Sequence, residues 1–470
     1  MNIAISTMIS LAACSSGNAE PLPEPEPEPE PEPVADAESV YFINSIQSKP
    51  LPELGDARII SASDVETVSA ELWTKWRAAN AEDNSYPVPS TVNLNGVDSY
   101  NPTATGSWPV TGGNMRFVYG DKGTAPAEGY PMFISLHGSG ADAYDEWGIT
   151  IAWCQYYVDA PSRYFIPCSP AGGTGCRWFQ PSRQKAWESL IRTAFLDSKV
   201  NPDKIYFMGI SEGAYGSQRL ASFYADYLAG AGPIAGGEPS YNCPAENTAN
   251  IAFCLQTGAN DTMYGRSRVT KLAQDEWKKL AEEHPGYYTH KIDLQPGYGH
   301  GCDYTVTTPW LKEHSRNAQP KYVYWENFGM GNINGESYEC RKGFYNLRVL
   351  EGQNGRTDGF VRDAYEMSID GNNVDLKVYS VTVTPDRQVS EDGWTMNTGA
   401  TRTKVAATKG KVRIYLSDKL VDLTKPVTVT VNGAKKYEGT PQLDRNTMVE
   451  SIAFFYDPKR IFPTYVDVEI

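Results

Sequence analysis

Apolar residues follow two different patterns along this chain. Between residues 115 and 300 they come in short unbroken runs, at 115–119, 131–136, 164–167, 204–208, 251–255 and 290–294. Runs of this length without alternation are expected of strands covered on both faces, as in a parallel sheet between helices. Helical spacing is clearest before and within this region: Val65, Val68, Leu72, Trp76 and Ala79 share one face of a helix opened by Ser63-Asp64-Val65-Glu66, a capping box, and 266–283 reads as a second helix. Beyond Pro320 the pattern changes to alternation, at 373–378 and 411–416, and 427–431 runs into Asn432-Gly433, the strongest two-residue hairpin signal. With 465–468 as the last strand, this predicts an α/β region over 39–319, including an N-terminal helical extension, followed by an all-β sandwich over 320–470.

Composition changes the picture at the N-terminus. Residues 1–13 are apolar and end in Leu11-Ala12-Ala13-Cys14, which resembles a bacterial lipoprotein signal with Cys14 as the lipid-accepting residue, although no Lys or Arg precedes the apolar run. From Pro21 to Pro33 proline alternates with glutamate, so 15–38 reads as a linker whose Pro-Glu tract, in extended polyproline II, spans about 40 Å at roughly 3.1 Å per residue. Together these predict a bacterial protein tethered to the cell envelope by lipid. The five glutamates at 24, 26, 28, 30 and 32 supply a third of the net charge of −15, and no basic stripe is left to recruit nucleic acid. With Cys14 lipidated, seven cysteines remain; their spacings match no zinc site, and neither a metal nor an organic cofactor is implied.

The chemistry centres on Gly209-Ile210-Ser211-Glu212-Gly213. An apolar strand leads into it and the small residues Ala214, Gly216 and Ala221 follow, so it reads as a strand-to-helix turn presenting the Ser211 hydroxyl. Downstream, the run 251–255 ends in Gly258-Ala259-Asn260-Asp261, and the last run of the region leads to Gly299-His300-Gly301. Upstream, the run 131–136 opens directly into His137-Gly138-Ser139-Gly140.

These motifs, in this order, resemble the α/β-hydrolase superfamily over residues 116–314. The resemblance implies a mostly parallel sheet flanked by helices, with Ser211 as nucleophile, His300 as base and Asp261 as the acid that orients it. It also implies an oxyanion hole from the backbone N–H of Glu212 and of Ser139 or Gly140, with His137 a structural member of its loop. Asp303, three residues past His300, is the competing carboxylate. Ala214 stands where polyhydroxyalkanoate-depolymerase-like esterases carry a further glycine. Arg177, Trp178 and Phe179, on the loop over 169–187, are candidates for the substrate wall, or else anchors of that loop. The expected partner is an ester-bearing small molecule or polysaccharide, the membrane being reached through lipid alone. The alternatives are a serine peptidase of prolyl-oligopeptidase type and a non-catalytic glycan-binding protein that would use exposed aromatics such as Trp325 or Trp394.

Overall fold

Burial on both faces accounts for the central sheet. The computed structural model describes residues 36–470 apart from 88–89, 104–105, 111–112, 141, 158–159, 170–177, 331–338, 355–358 and 392. Cys14, the signal and linker segments up to residue 35, and Arg177 therefore lie outside the described residues. In chain order the first elements are α1 (Ala37–Ile46), α2 (Val65–Ala81), β1 (Val92–Asn93), β2 (Gly106–Val110), β3 (Gly113–Lys122), β4 (Tyr130–Leu136), α3 (Ala143–Tyr157), β5 (Ser162–Pro167), α4 (Gln184–Leu196), β6 (Val200–Ile210), α5 (Glu212–Tyr224), β7 (Gly230–Ile234), β8 (Ala252–Gly258), α6 (Arg266–Glu283), β9 (His290–Gln295) and α7 (Thr307–Lys312). The sheet runs β1-β3-β5-β4-β6-β7-β8-β9, with β2 on β3. From β5 to β9 all neighbours are parallel, and the antiparallel pairings are those of β3 with β2 and β5.

Successive residues of each strand serve opposite layers. Phe117, Ile134, Phe207 and Phe253 pack with α4, α5 and α6, while Val118, Phe133, Tyr206 and Cys254 pack with α3 and α7. The sheet is thus mostly parallel and flanked by helices on both faces, as the apolar runs predict. The pattern gives no sign of β7, because Gly-Ala-Gly-Pro-Ile reads as a turn. Its small residues have a packing reason: a Cβ on Gly232 would lie 2.5 Å from Thr307 Cγ2 of α7.

Past Pro320 come β10 (Tyr322–Asn327), β11 (Gly343–Phe344), β12 (Leu347–Glu351), β13 (Val361–Asp370), β14 (Asn373–Glu391), β15 (Trp394–Ala406), β16 (Lys411–Leu416), β17 (Val427–Val431), β18 (Ala434–Gly439), α8 (Arg445–Phe455) and β19 (Thr464–Glu469). They form a six-stranded sheet, β10-β13-β14-β17-β18 with β15 on β14, and a four-stranded sheet, β11-β12-β16-β19. Asn432 and Gly433 make the expected hairpin turn at φ 48° and 81°. Trp325 of the first sheet is buried and stacks on Phe344 of the second at 5.4 Å, so it holds the sheets together and offers no surface to a glycan.

Helix α8 interrupts the expected run of strands. Asp444 caps it by accepting the Asn446 N–H, and its Met448, Val449 and Ile452 pack against Tyr41 and Phe42 of α1 and Leu72 and Trp76 of α2. The apolar face read from the spacing of α2 thus closes on the chain's own C-terminal helix. The capping box expected at Ser63 and Glu66 forms two residues earlier, opening the 3-10 turn that leads into α2: the Asp64 carboxylate accepts the Ser61 N–H at 3.3 Å.

Residues 37–470 form one compact unit, and the boundary expected near 319 falls inside it. Across that position runs a buried network of two carboxylates and three guanidinium groups. Asp226, just after α5, accepts from Arg341 at 3.0 Å and Arg460 at 2.6 Å; Arg460 also reaches Asp457 at 2.6 Å, and Arg316 reaches Asp457 at 2.7 and 3.1 Å. Burial alone would raise the Asp226 carboxyl, but Arg341 and Arg460 outweigh it and hold it below the usual carboxylate range. Removing one member leaves the others charged and dry. Asp226→Asn is expected to destabilise the protein by about 3 to 5 kcal/mol, read as a lower urea midpoint at unchanged slope. An unchanged midpoint would show that the network contributes nothing net.

Candidate active site

The geometry begins with a steric constraint. Where β6 hands over to α5, a Cβ on Gly209 would lie 2.4 Å from the Gly213 carbonyl oxygen, and a Cβ on Gly213 would lie 2.1 Å from that of Leu136. Only glycine permits either approach. The tight crossing places Ser211 at φ 55°, ψ −114°, a conformation that serine rarely adopts. Its N–H is bonded to Ile234 O at 2.9 Å, which ties the strained residue to β7.

The structure brings Ser211, His300 and Asp261 together from three separate connections. His300 Nε2 lies 3.1 Å from Ser211 Oγ, and His300 Nδ1 lies 2.7 Å from Asp261 Oδ2. Asp261 is buried, whereas His300 is about half exposed, with 48% of its side chain in solvent. Asp303 is turned elsewhere: its Oδ1 accepts from the Thr305 N–H and hydroxyl, and these bonds, the hydroxyl first, hold its carboxyl below the ordinary value. Cys302 beside the base is a buried thiol, pushed up to about 11 by burial, whose Sγ–H donates to Gln256 O. Cys154, Cys168, Cys243 and Cys254 are likewise buried free thiols.

One contributor is not evident in the sequence. Arg266, the first residue of α6, is buried and donates from Nη1 to Asp261 Oδ1 at 3.2 Å and from Nε to the Tyr215 hydroxyl at 2.9 Å. Tyr215 lies one helical turn past Ser211, and burial pushes its phenol up to about 12, so it stays protonated and accepts. Both oxygens of Asp261 are therefore held, one by His300 and one by a guanidinium braced on α5. In sequence Arg266 is only one of three charged residues in Arg-Ser-Arg-Val-Thr-Lys; nothing in the spacing distinguishes it.

The loop after β4 lies against the elbow. A Cβ on Gly138 would come within 3.3 Å of Ser211 Cβ, so the start of this loop lies close against the serine. Ser139 is exposed and Gly140 half-buried, and a Cβ on Gly140 would displace the Glu146 carboxylate, whose Oε1 would lie 2.2 Å away. Glu212 opens α5 with its backbone N–H at the positive end of the helix. His137 is buried and accepts the Ser169 N–H at Nε2, 3.0 Å away, while its Nδ1 lies 2.7 Å from Gly138 O; burial pulls its pKa down to about 4. It joins two loops as a neutral ring.

The substrate-wall assignment needs correction for two of its three residues. Trp178 is fully buried: its indole N–H donates to His137 O at 3.0 Å, and its Cβ occupies the space that Gly216 leaves open on α5. Phe179 is also buried, with the Arg219 guanidinium 3.7 Å above its ring. Both anchor the loop and neither faces solvent. Helix α4 also begins at Gln184, inside the stretch read as loop. Arg177 lies outside the described residues.

No family model matches the chain. Residues of the chain are 26% identical over 234 positions to poly(3-hydroxyalkanoate) depolymerase C of Paucimonas lemoignei, a match covering 47% of this chain and 52% of that protein. The chain thus spans about half the length of the curated relative it matches. Among solved structures it is similar to a thermostable esterase, at 21% identity and TM-score 0.35 over 45% of this chain and 62% of that one. It is also similar to a carboxylesterase from Mesorhizobium loti, at 19% identity and TM-score 0.30 over 44% of this chain and 98% of that one.

The role of Arg266 is open to direct test. Arg266→Met is expected to lower kcat on p-nitrophenyl acetate roughly 10- to 100-fold with KM nearly unchanged, because a misplaced base loses rate before it loses binding. Arg266→Lys should recover part of the loss. Equal kcat for Arg266→Met and wild type would show that Asp261 needs no brace.

Proposed function

We propose that this chain is a serine hydrolase that cleaves carboxylic esters through an acyl-enzyme on Ser211. The observation that carries the proposal is the relay from Ser211 Oγ through His300, 3.1 Å away, to Asp261, 2.7 Å beyond, on a strained elbow at the end of a parallel sheet. His300 Nε2 takes the Ser211 proton as Oγ attacks the acyl carbonyl. The Nδ1–H donates to Asp261, which fixes the tautomer and stabilises the imidazolium. Backbone N–H groups of Glu212 and of Ser139 or Gly140 receive the oxyanion, each such donor contributing about 3 kcal/mol to the transition state. His300 returns the proton to the departing alkoxide. Water, deprotonated by the same nitrogen, then releases the acid and restores the serine.

Ester rather than amide hydrolysis is favoured because the matched relative is by name a depolymerase of poly(3-hydroxyalkanoate), an ester polymer, and because an alkoxide leaves more readily than an amine. Within that class, an acyl or methyl ester carried on polysaccharide suits an enzyme tethered to the bacterial envelope through lipid on Cys14. The tether rests on the sequence alone; Cys14→Ala should move the protein from the membrane fraction to the soluble one, and continued membrane partitioning would remove it.

Ser211→Ala is expected to abolish hydrolysis of p-nitrophenyl acetate without shifting the unfolding midpoint, since the hydroxyl carries little packing. Asp261→Asn should lower kcat by about 10⁴-fold with little change in KM, while Asp303→Asn stays near wild type. A matched p-nitroanilide hydrolysed as fast as the ester would favour the peptidase reading, and activity surviving in Ser211→Ala would remove Ser211 from the mechanism.

A further inference from the structure

Four exposed large apolar side chains belong to the segments that carry or touch the acid and base. Met263 (51% exposed) and Tyr264 (36%) lie two and three residues after Asp261, Tyr298 (45%) sits two residues before His300, and Trp394 (54%) arrives from a distant part of the chain. Exposed apolar residues are ordinary when scattered; a group beside a candidate active centre marks a contact surface.

Trp394 reaches this place on a ribbon that leaves its own sheet. β14 pairs with β13 only as far as Thr382 and with β17 only over Asn373–Leu376, whereas its pairing with β15 continues to Glu391 opposite Trp394. A two-stranded ribbon is marginal without support. Here its root is pinned by Arg402, which donates to Ser240 O of the α/β region at 2.6 Å and to Glu326 Oε2 of β10 at 2.9 Å. At its tip the Trp394 ring lies 5.0 Å from that of Tyr264, inclined by 59°. Tyr264 holds a left-handed φ of 57°, with the Arg266 guanidinium 5.0 Å from its ring centre. The strained tyrosine is thus braced on one side by the group that holds Asp261 and on another by the ribbon.

We infer that Trp394 and Tyr264 form a stacking subsite for a sugar ring of a neutral, acylated polysaccharide, set beside the active centre by the β14–β15 ribbon. The inference rests on the ester-hydrolase reading above. Each residue combines a flat apolar body with a polar edge, the indole N–H or the phenol hydroxyl. A pyranose presents the complement, a face of C–H bonds rimmed by hydroxyls, whereas a saturated polyester chain is better matched by aliphatic side chains. None of the four side chains is charged, and with a net charge of −15 the protein has no bias toward an anionic carrier. His300 is half exposed, so a bulky carrier can rest outside while only its acyl group reaches Ser211.

The test compares wild type, Trp394→Ala and Trp394→Phe, each as the full chain, on p-nitrophenyl acetate, on acetylated xylan, glucomannan and cellulose oligosaccharides, and on poly(3-hydroxybutyrate) latex. Trp394→Ala is expected to lower kcat/KM on at least one acetylated oligosaccharide about tenfold through KM, to leave p-nitrophenyl acetate within roughly twofold, and to be largely rescued in Trp394→Phe. Equal loss on the small ester would make Trp394 a brace for the acid and overturn the subsite. Loss confined to the latex would assign the surface to a polyester and overturn it too. A wild type that cleaves p-nitrophenyl acetate but none of the three oligosaccharides overturns the subsite and leaves the hydrolase reading standing, while one inert on p-nitrophenyl acetate fails that reading first.

Discussion

The close crossing of β6 and α5 is the constraint on which the rest depends. Holding Ser211 at φ 55°, ψ −114° costs about 1 to 3 kcal/mol, and it persists only because the surroundings leave no alternative. Gly213 lies against the carbonyls of Leu136 and His137, so the end of β4 is fixed to the elbow and the loop it opens must lie beside the serine. Ile234 O takes the Ser211 N–H, which fixes β7 in turn. The proximity of Ser211 and the loop after β4 is thus a consequence of strand register. Asp261 and His300 arrive by the same logic, from the carboxyl ends of the parallel strands β8 and β9.

The far end of α5 is held just as firmly. Asp226 follows it and is gripped by Arg341 and Arg460, both from beyond Pro320, while Asp457 bridges Arg460 to Arg316. Helix α5 is therefore pinned by backbone sterics at one end and buried charge at the other. Removing these ions from water is expensive, and the network repays it only while complete. The C-terminal sheets consequently keep a defined position relative to the elbow, which is what allows a ribbon rooted at Arg402 to deliver Trp394 to a loop three residues from Asp261.

Much of this was legible in the sequence because it rests on local rules. Unbroken apolar runs mark strands covered on both faces, and the glycines flanking Ser211 mark a turn where the chain passes close to itself. What escaped depends on tertiary context. β7 is too glycine-rich to read as a strand, since its small residues answer to α7 packing above it. α8 sits in a region of alternating strands and is selected by the apolar face of α1 and α2. Arg266 is one charged residue among several until the fold aims it at Asp261. Trp178 and Phe179 look like a binding surface because aromatic residues in a loop serve equally well as anchors, and only burial tells the two uses apart.

Covalent labelling of the folded protein with a fluorophosphonate, followed by mass spectrometry of the intact chain and its peptides, tests the central claim most directly. A phosphonate reacts with a serine only when a neighbouring base removes its proton. The account predicts one adduct per chain, on the peptide carrying Ser211, and its loss when His300 is replaced by alanine. No adduct on the folded protein, or an adduct at a different serine, would contradict it.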